Sequence, residues 1–317
     1  MKTPAWRTTS GRLGATALVW TVVTAAVGMP AAPDEIARAT ERGSSQPGGV
    51  GTAPRAPARK STMTPQQLVA RITAKDWTIV DGATTFDAGT ASAVAALLER
   101  PDPQLRELTV HVLDATDGAD ARRALLKALN DPDNVVRAAA ARFVGRRRVA
   151  EDLPAVLQQI QQNPDEYVRE QLALAVGKTG AREAIPVLEE SLTRERDVHA
   201  RHAMTLALAR LGAPQSRTAV LARLRVQDPK ERVAALQDVL YLDDRTLAAE
   251  VLPLLDDLRD AKNVAPSHGR LMIRVCDVAL NTLDVLLGHP FPFPVSGVQR
   301  YTPEQLAQAK SIVAGRR

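Results

Sequence analysis

The chain predicts an all-α fold, a solenoid of stacked helical hairpins. Three observations predict it. An Asp-x-x-x-Arg unit returns five times at a nearly constant spacing. Apolar residues recur around each arginine at helical intervals. Aromatic residues make up only 3% of a chain that is 45% hydrophobic, so Leu, Ala and Val fill the core, and such side chains suit closely stacked helices better than a sandwich or barrel.

The arginines are Arg106, Arg137, Arg169, Arg201 and Arg232, spaced by 31, 32, 32 and 31 residues, and each follows its aspartate (Asp102, Asp133, Asp165, Asp197, Asp228) by four. A fixed period of this size marks a repeat architecture. Just before each arginine stand Leu105, Val136, Val168, Ala200 and Glu231. Three residues after it come Thr109, Ala140, Leu172, Met204 and Ala235, and seven after it Leu113, Val144, Val176, Leu208 and Val239. Steps of four lie along one helical face. That face is mostly apolar, with small residues where neighbouring helices must approach. A turn with Gly118, Gly145, Gly180 or Gly212 follows in four of the repeats. A second helix then reads "DLPAVLQQI", "AIPVLEESL", "RTAVLARL" or "VLPLLDDL", with Pro154, Pro186 and Pro253 in the first turn, where a missing N–H costs nothing.

The periodic pair has a structural reading. Each aspartate is placed to cap its helix, accepting orphan backbone N–H groups at the positive end of the helix dipole. Each arginine lies one turn on, within reach of that carboxylate or of a carbonyl of the adjacent repeat. Repeated along the stack, the pairs predict a structural ladder rather than a row of anion sites.

The units "DPDNVVRAAAARFVG", "PDEYVREQLALAVGKTGAREAIPVLEESL" and "ERDVHARHAMTLALARLGAPQSRTAVLARL" resemble HEAT repeats, in particular the short HEAT-like repeats of phycobilisome lyases. The resemblance covers residues 101–259. It implies a right-handed α-α superhelix of the HEAT/armadillo type with about five full repeats plus terminal caps. It also implies a protein-binding surface more than an activity, since a minority of the family attach bilins or act as enzymes. Di-iron members carry paired His-Glu dipeptides, and none occurs here.

The flanks set the expected domain limits. Residues 1–32 combine a basic head (Lys2, Arg7, Arg12), the uncharged run "LGATALVWTVVTAAVGM" and small residues at Ala26, Ala31 and Ala32. This is the pattern of a cleaved signal peptide or of an uncleaved amino-terminal anchor. Residues 33–62 are rich in Pro, Gly, Ser and charge and predict a flexible linker. Residues 63–100 predict a capping half-repeat opened by "TPQQ", and residues 260–317 a degenerate repeat and a carboxy-terminal cap with a second Thr-Pro-x-Gln start at Thr302.

Charge and cysteine use exclude some functions. Eight Lys/Arg and three Asp/Glu lie in residues 1–60, which leaves 33 of each sign in residues 61–317. The folded part is therefore neutral, and no nucleic acid partner is expected. Cys276, the only cysteine, falls on an apolar helical pattern and reads as a buried thiol. No phosphate-binding loop, nucleophile elbow or Cys/His cluster appears.

Candidate contact residues come from the second helices, which the resemblance places on the concave side. Counting four residues past the proline position gives Lys127, Gln158, Glu190 and Asp257, with Arg223 beside the small Ala222. These positions recur at the repeat period but differ in chemistry. His199 and His202 have chelating spacing but lack an assignable third ligand, so no metal is assigned. Arg146, Arg147 and Arg148 read as a solvated turn answered by Glu151 and Asp152, and Phe291 and Phe293 as a plug over the last groove. The expected function is that of an exported, non-enzymatic, monomeric scaffold or adaptor that binds a protein or peptide and carries no cofactor. It contacts a membrane only if its leader is retained. A lyase-like enzyme and a spacer in an envelope assembly are the alternatives.

Overall fold

The helices begin where the sequence supplies caps. Asp102, Asp165, Asp197 and Asp228 each accept backbone N–H bonds from the first turn of the helix that follows, and Asp133 accepts from Val135 N at 2.9 Å and Val136 N at 3.3 Å. In this computed structural model, residues 59–80, 84–146, 149–264, 271–297 and 299–315 are described, and all belong to one compact unit, Pro54–Arg317. The predicted leader and the linker as far as residue 58 lie outside the described residues.

Five helical hairpins follow one another. They are α3 (Pro103–Asp114) with α4 (Ala119–Ala128), α5 (Asn134–Arg146) with α6 (Leu153–Gln162), and α7 (Glu166–Gly177) with α8 (Ile185–Arg194). Then come α9 (Val198–Arg210) with α10 (Pro214–Ala222), and α11 (Pro229–Leu242) with the short α12 (Ala248–Val251), which runs on into a 3-10 turn. The chain is thus the all-α solenoid that its periodicity predicts. The Asp–Arg helices α3, α5, α7, α9 and α11 form one layer and the second helices the other. The positions three and seven residues past each arginine are all buried, from Thr109 and Leu113 to Ala235 and Val239.

The Asp–Arg layer is the more tightly packed of the two. Its buried faces carry Ala139, Ala140, Ala173, Ala175, Ala203 and Ala207, whose short side chains let backbones come close. Gly177 shows how close: a Cβ there would lie 2.7 Å from the Ala207 Cα and would overlap the Tyr241 hydroxyl. Tyr241 reaches past α9 to donate a 2.7 Å bond to the Leu174 carbonyl in α7. Gly118, Gly180 and Gly212 turn the chain with positive φ. Gly145 does not: it sits in the last turn of α5, where a Cβ would come within 3.2 Å of the Ala175 Cβ, so its smallness serves packing. In the fifth hairpin Asp243 takes the left-handed position instead.

The ends differ from the repeats. α1 (Pro65–Thr73) starts with a full capping box between Thr64 and Gln67, and Trp77–Ile79 forms a 3-10 turn. β1 (Arg59–Lys60) pairs in parallel with β2 (Thr84–Thr85), so the last residues of the expected linker include a strand. α2 (Ala91–Ala95) passes into a 3-10 turn and completes the half-repeat. Beyond the fifth hairpin, β3 (Asp260–Val264) and β4 (Leu271–Arg274) pair antiparallel, where a degenerate repeat was expected. β4 leads into α13 (Val275–Leu287), which packs on α11 as a sixth member of that layer. α14 (Pro303–Ala314) begins with the second capping box, Thr302 with Gln305. No helix among the described residues is long and apolar enough to cross a membrane.

Candidate protein-binding surface

Four of the five ladder arginines join repeats, and among the described residues none is paired with its own aspartate. Arg106 grips Asp131 of the next repeat through Nε and Nη2, both at 2.8 Å, in a pair with side chains only 8% and 6% exposed. Arg137 holds Asp165 (Nε, 2.8 Å), Arg169 holds Glu195 (2.6 and 2.9 Å) and Arg232 holds Asp257 (2.8 Å). Each of these arginines also donates to a carbonyl six residues upstream, at Arg100, Asp131, Asn163 and Val226. The acid therefore comes from the turn before each Asp–Arg helix. The same turn residue often orders that turn: Asp131, Asn163 and Glu195 accept the backbone N–H two residues on, at 2.9, 3.0 and 3.0 Å. Where that position is Asn163, Arg137 takes the cap aspartate instead. Arg201 holds no acid and donates only to the Leu192 and Glu195 carbonyls.

The opposite side of each Asp–Arg helix is different in kind. Positions two before and one after the arginine lie within one sector pointing away from the core, joined in the first two repeats by the position five after. They hold Gln104, Glu107 and His111, then Val135, Ala138 and Arg142, then Tyr167 and Glu170, then His199 and His202; five after the arginine the third and fourth repeats carry the buried Leu174 and Leu206. Toward the amino-terminal end this face is aromatic. Trp77, 40% exposed, meets the His111 ring edge-on at 5.4 Å, and His111 meets Phe143 at 4.8 Å. Arg146 lies over Phe143 at 4.6 Å and pairs with Asp114 at 2.8 Å. Arg142 is exposed and forms no ion pair among the described residues, yet its charge acts on Glu107, His111 and Tyr167. Burial, reinforced by Arg142 and Arg146, lowers the His111 imidazole to about 4, so the ring stays neutral at physiological pH. Burial raises the Glu107 and Glu170 carboxyls.

Further along, the face becomes polar. His199 is exposed. His202 is half-buried, with Nε2 3.0 Å from Asp238 and 3.2 Å from Arg223. Arg223 pairs with Asp238 and, at 3.0 Å, with Glu231. His202 thus belongs to an inter-repeat network. No group of three His, Cys, Asp or Glu side chains among the described residues is arranged to hold a metal ion.

The residues expected on the second helices do not converge. Lys127 pairs with Glu99, and Gln158 bonds Gln162 on its own helix. Glu190 pairs with Arg194 and is approached by Gln161 at 3.4 Å. Arg223 serves the Asp238 network, and Asp257 is the acid of the Arg232 rung, shared with Arg259. Glu151 and Asp152 pair with Arg122, at 2.9 and 3.0 Å; Arg147 and Arg148, with which the sequence reading paired them, lie outside the described residues. Phe291 and Phe293 stack at 5.7 Å, and Phe293 leans on Tyr301. Cys276 is fully buried, its thiol pushed up to about 11 by burial and by Asp277.

Paired helices in a periodic stack, tied by inter-repeat arginines, define a helical-repeat scaffold. The family model for HEAT repeats matches residues 90–170 and, in a second placement, 153–240. Residues 90–240 are thus built of HEAT repeats. No curated protein matches the chain significantly. Among solved structures it is similar to the complex of CpcE and CpcF of phycocyanin lyase from Nostoc sp. PCC7120, at 19% identity and a TM-score of 0.44 over 86% of this chain and 99% of that one. It is also similar to human deoxyhypusine hydroxylase in complex with glycerol (14%, 0.31, over 72% and 96%). A third is the archaeal HEAT-like repeats protein from Thermococcus onnurineus NA1 (14%, 0.26, over 80% and 98%).

Proposed function

We propose that this protein is an exported scaffold that binds a protein or peptide partner through the outward face of its Asp–Arg helices, centred on Trp77, His111, Arg142 and Tyr167 and backed by the buried Phe143. One observation carries the reading. Core positions are nearly uniform from repeat to repeat, while the outward positions of this layer vary and gather half-exposed aromatic side chains around Arg142, which forms no ion pair among the described residues. In a protein with so few aromatic residues, such a group is the composition of a binding hot spot. The choice of layer follows from packing. When two layers of a stack differ in spacing, the closer layer lies inside the bend, and the inner surface gathers side chains from successive repeats. That argument moves the expected groove from the second helices to the Asp–Arg helices. Export rests on the leader-like residues 1–32.

The test joins both halves. A reporter fused behind residues 1–62 is expected outside the cytoplasm, and charged residues in place of Val22 and Val23 are expected to retain it. The protein purified from its native envelope is expected to bring a defined partner. Arg142→Glu and Trp77→Ala are expected to lose that partner while melting within a few degrees of wild type. Wild-type capture by both variants sinks the surface assignment, and a cytoplasmic reporter sinks export.

A further inference from the structure

One rung of the ladder is open. Arg201 donates Nη1 to the Leu192 carbonyl at 2.9 Å and the Glu195 carbonyl at 2.8 Å. The Glu195 carbonyl is six residues upstream, so the guanidinium is anchored as in Arg106, Arg137 and Arg169, whose Nη1 atoms also hold a carbonyl six residues back. In those three arginines the other edge, Nε with Nη2, grips a carboxylate of the next repeat. Arg201 is exposed, and that edge makes no ion pair among the described residues.

The reason lies in the next turn. The residue 25 positions beyond Arg106 is Asp131, and 25 beyond Arg232 is Asp257; 25 beyond Arg201 is Val226. The cap aspartates do not substitute. Asp197 spends Oδ1 on His199 N and Ala200 N, both at 2.9 Å, and Asp228 spends Oδ1 on Lys230 N at 2.8 Å. Neither forms an ion pair among the described residues. The neighbourhood is basic: Arg196, His199 and Lys230 are exposed and likewise lack ion pairs there. Val198, one turn before Arg201, is 68% exposed and offers an apolar neighbour.

We infer that Arg201 is a carboxylate-binding site for a partner peptide, whose acid seats on the Nε/Nη2 edge and closes the rung from outside. A guanidinium fork already fixed at one edge loses little further freedom when the other edge binds, and bidentate carboxylate geometry is what the fork matches. The acid comes from an Asp or Glu side chain or from a free carboxyl terminus. The site stands on the loop edge of the fourth repeat and is independent of which face takes the main partner.

The experiment is an arginine-labelled NMR titration of the full-length protein, with the Arg201 Nε–H signal assigned by its loss in Arg201→Gln. Three probes are used: an end-blocked peptide with a central Glu, its Gln counterpart, and a peptide without acidic side chains but with a free carboxyl terminus. The signal is expected to move with a carboxylate probe and to stay put with the Gln peptide. Arg201→Gln is expected to weaken the responding probe about tenfold. Val226→Asp, which supplies the acid internally, is expected to weaken the response several-fold while the variant stays folded. A response to one carboxylate probe names the source, and a response to both means that either serves. No response, an equal response to the Gln peptide, or a response undiminished by Val226→Asp overturns the proposal. None of these readouts depends on the outcome at Arg142.

Discussion

The first three rungs of the ladder and the fourth use the same arginine at the same helical position, yet only the first three are closed. Arg106, Arg137 and Arg169 each hold a carboxylate of the following repeat, while Arg201 meets Val226 where that acid should stand. The difference shows that two tasks are divided between two residues. The arginine fixes its own turn through a carbonyl six residues back, and every ladder arginine does this. Joining repeats falls to the acid in the next turn, and that acid is dispensable at one interface.

The largest test of this division is Arg106→Ala. The pair is almost fully buried, so removal of the arginine strands the Asp131 carboxylate, a class of change that costs about 3–5 kcal/mol. Arg201→Ala leaves no buried charge behind and is expected to cost well under that, about 1 kcal/mol or less. Urea denaturation of both variants measures the contrast. Equal losses would mean that the carbonyl bonds, and not the acid, hold the stack.

A pH titration sharpens the comparison at the aromatic face. His111 is neutral in the folded protein down to about 4, against an ordinary value of 6.5. Above pH 6.5 the ring is neutral in both states. As pH falls, the unfolded chain takes up the proton first, so stability declines between about 6.5 and 4 and levels off once the folded ring also protonates. The slope amounts to at most about 3 kcal/mol at 1.36 kcal/mol per unit, and solvent at the ring edge reduces it. His111→Phe keeps the ring contacts and is expected to flatten this part of the profile. An unchanged profile would assign the acid loss to other groups.

The two layers are distinguished by Gly177→Ala. A methyl group there meets the Ala207 backbone and the Tyr241 hydroxyl, and overpacking of this kind costs about 1–3 kcal/mol. Gln158→Ala, on the exposed side of a second helix, is expected to stay within about 0.5 kcal/mol. Equal effects would remove the argument that the Asp–Arg layer is the tight one.

Much of this architecture was legible because it is periodic. Helical steps around each arginine marked the buried face, and the aspartates marked the helix starts. The inter-repeat partners were not legible from the Asp-x-x-x-Arg unit. The partner position lies 25 or 26 residues beyond each arginine, in the next turn, and its identity drifts from Asp131 through Asn163, Glu195 and Val226 to Asp257. The aromatic face was half visible: Tyr167 and His199 stand at one repeat position, two before the arginine, and so can be placed on the helix from sequence. Trp77 lies in an irregular segment with no register, so only tertiary structure brings it to His111. The second-helix candidates failed to converge because side-chain pairing follows local partners, as with Lys127 and Glu99, which a count along the sequence does not include.

The smallest expected effect is the most informative about the open rung. Val226→Asp restores the acid that the other interfaces possess. It is half-exposed at this position, so the new pair is worth about 0.2–1 kcal/mol at most, partly offset by the lost apolar contact of the valine. A single variant would not resolve that sum. A double-mutant cycle does, because it isolates the coupling between residues 201 and 226 from each substitution's separate cost. Wild type, Val226→Asp, Arg201→Gln and the double variant are compared by denaturation at low and high salt. A favourable coupling that shrinks with salt is expected, since the pair forms at a wet surface. Zero coupling at low salt would mean that the Arg201 fork does not face the next turn as its counterparts do, and the homology between the open and closed rungs would fail with it.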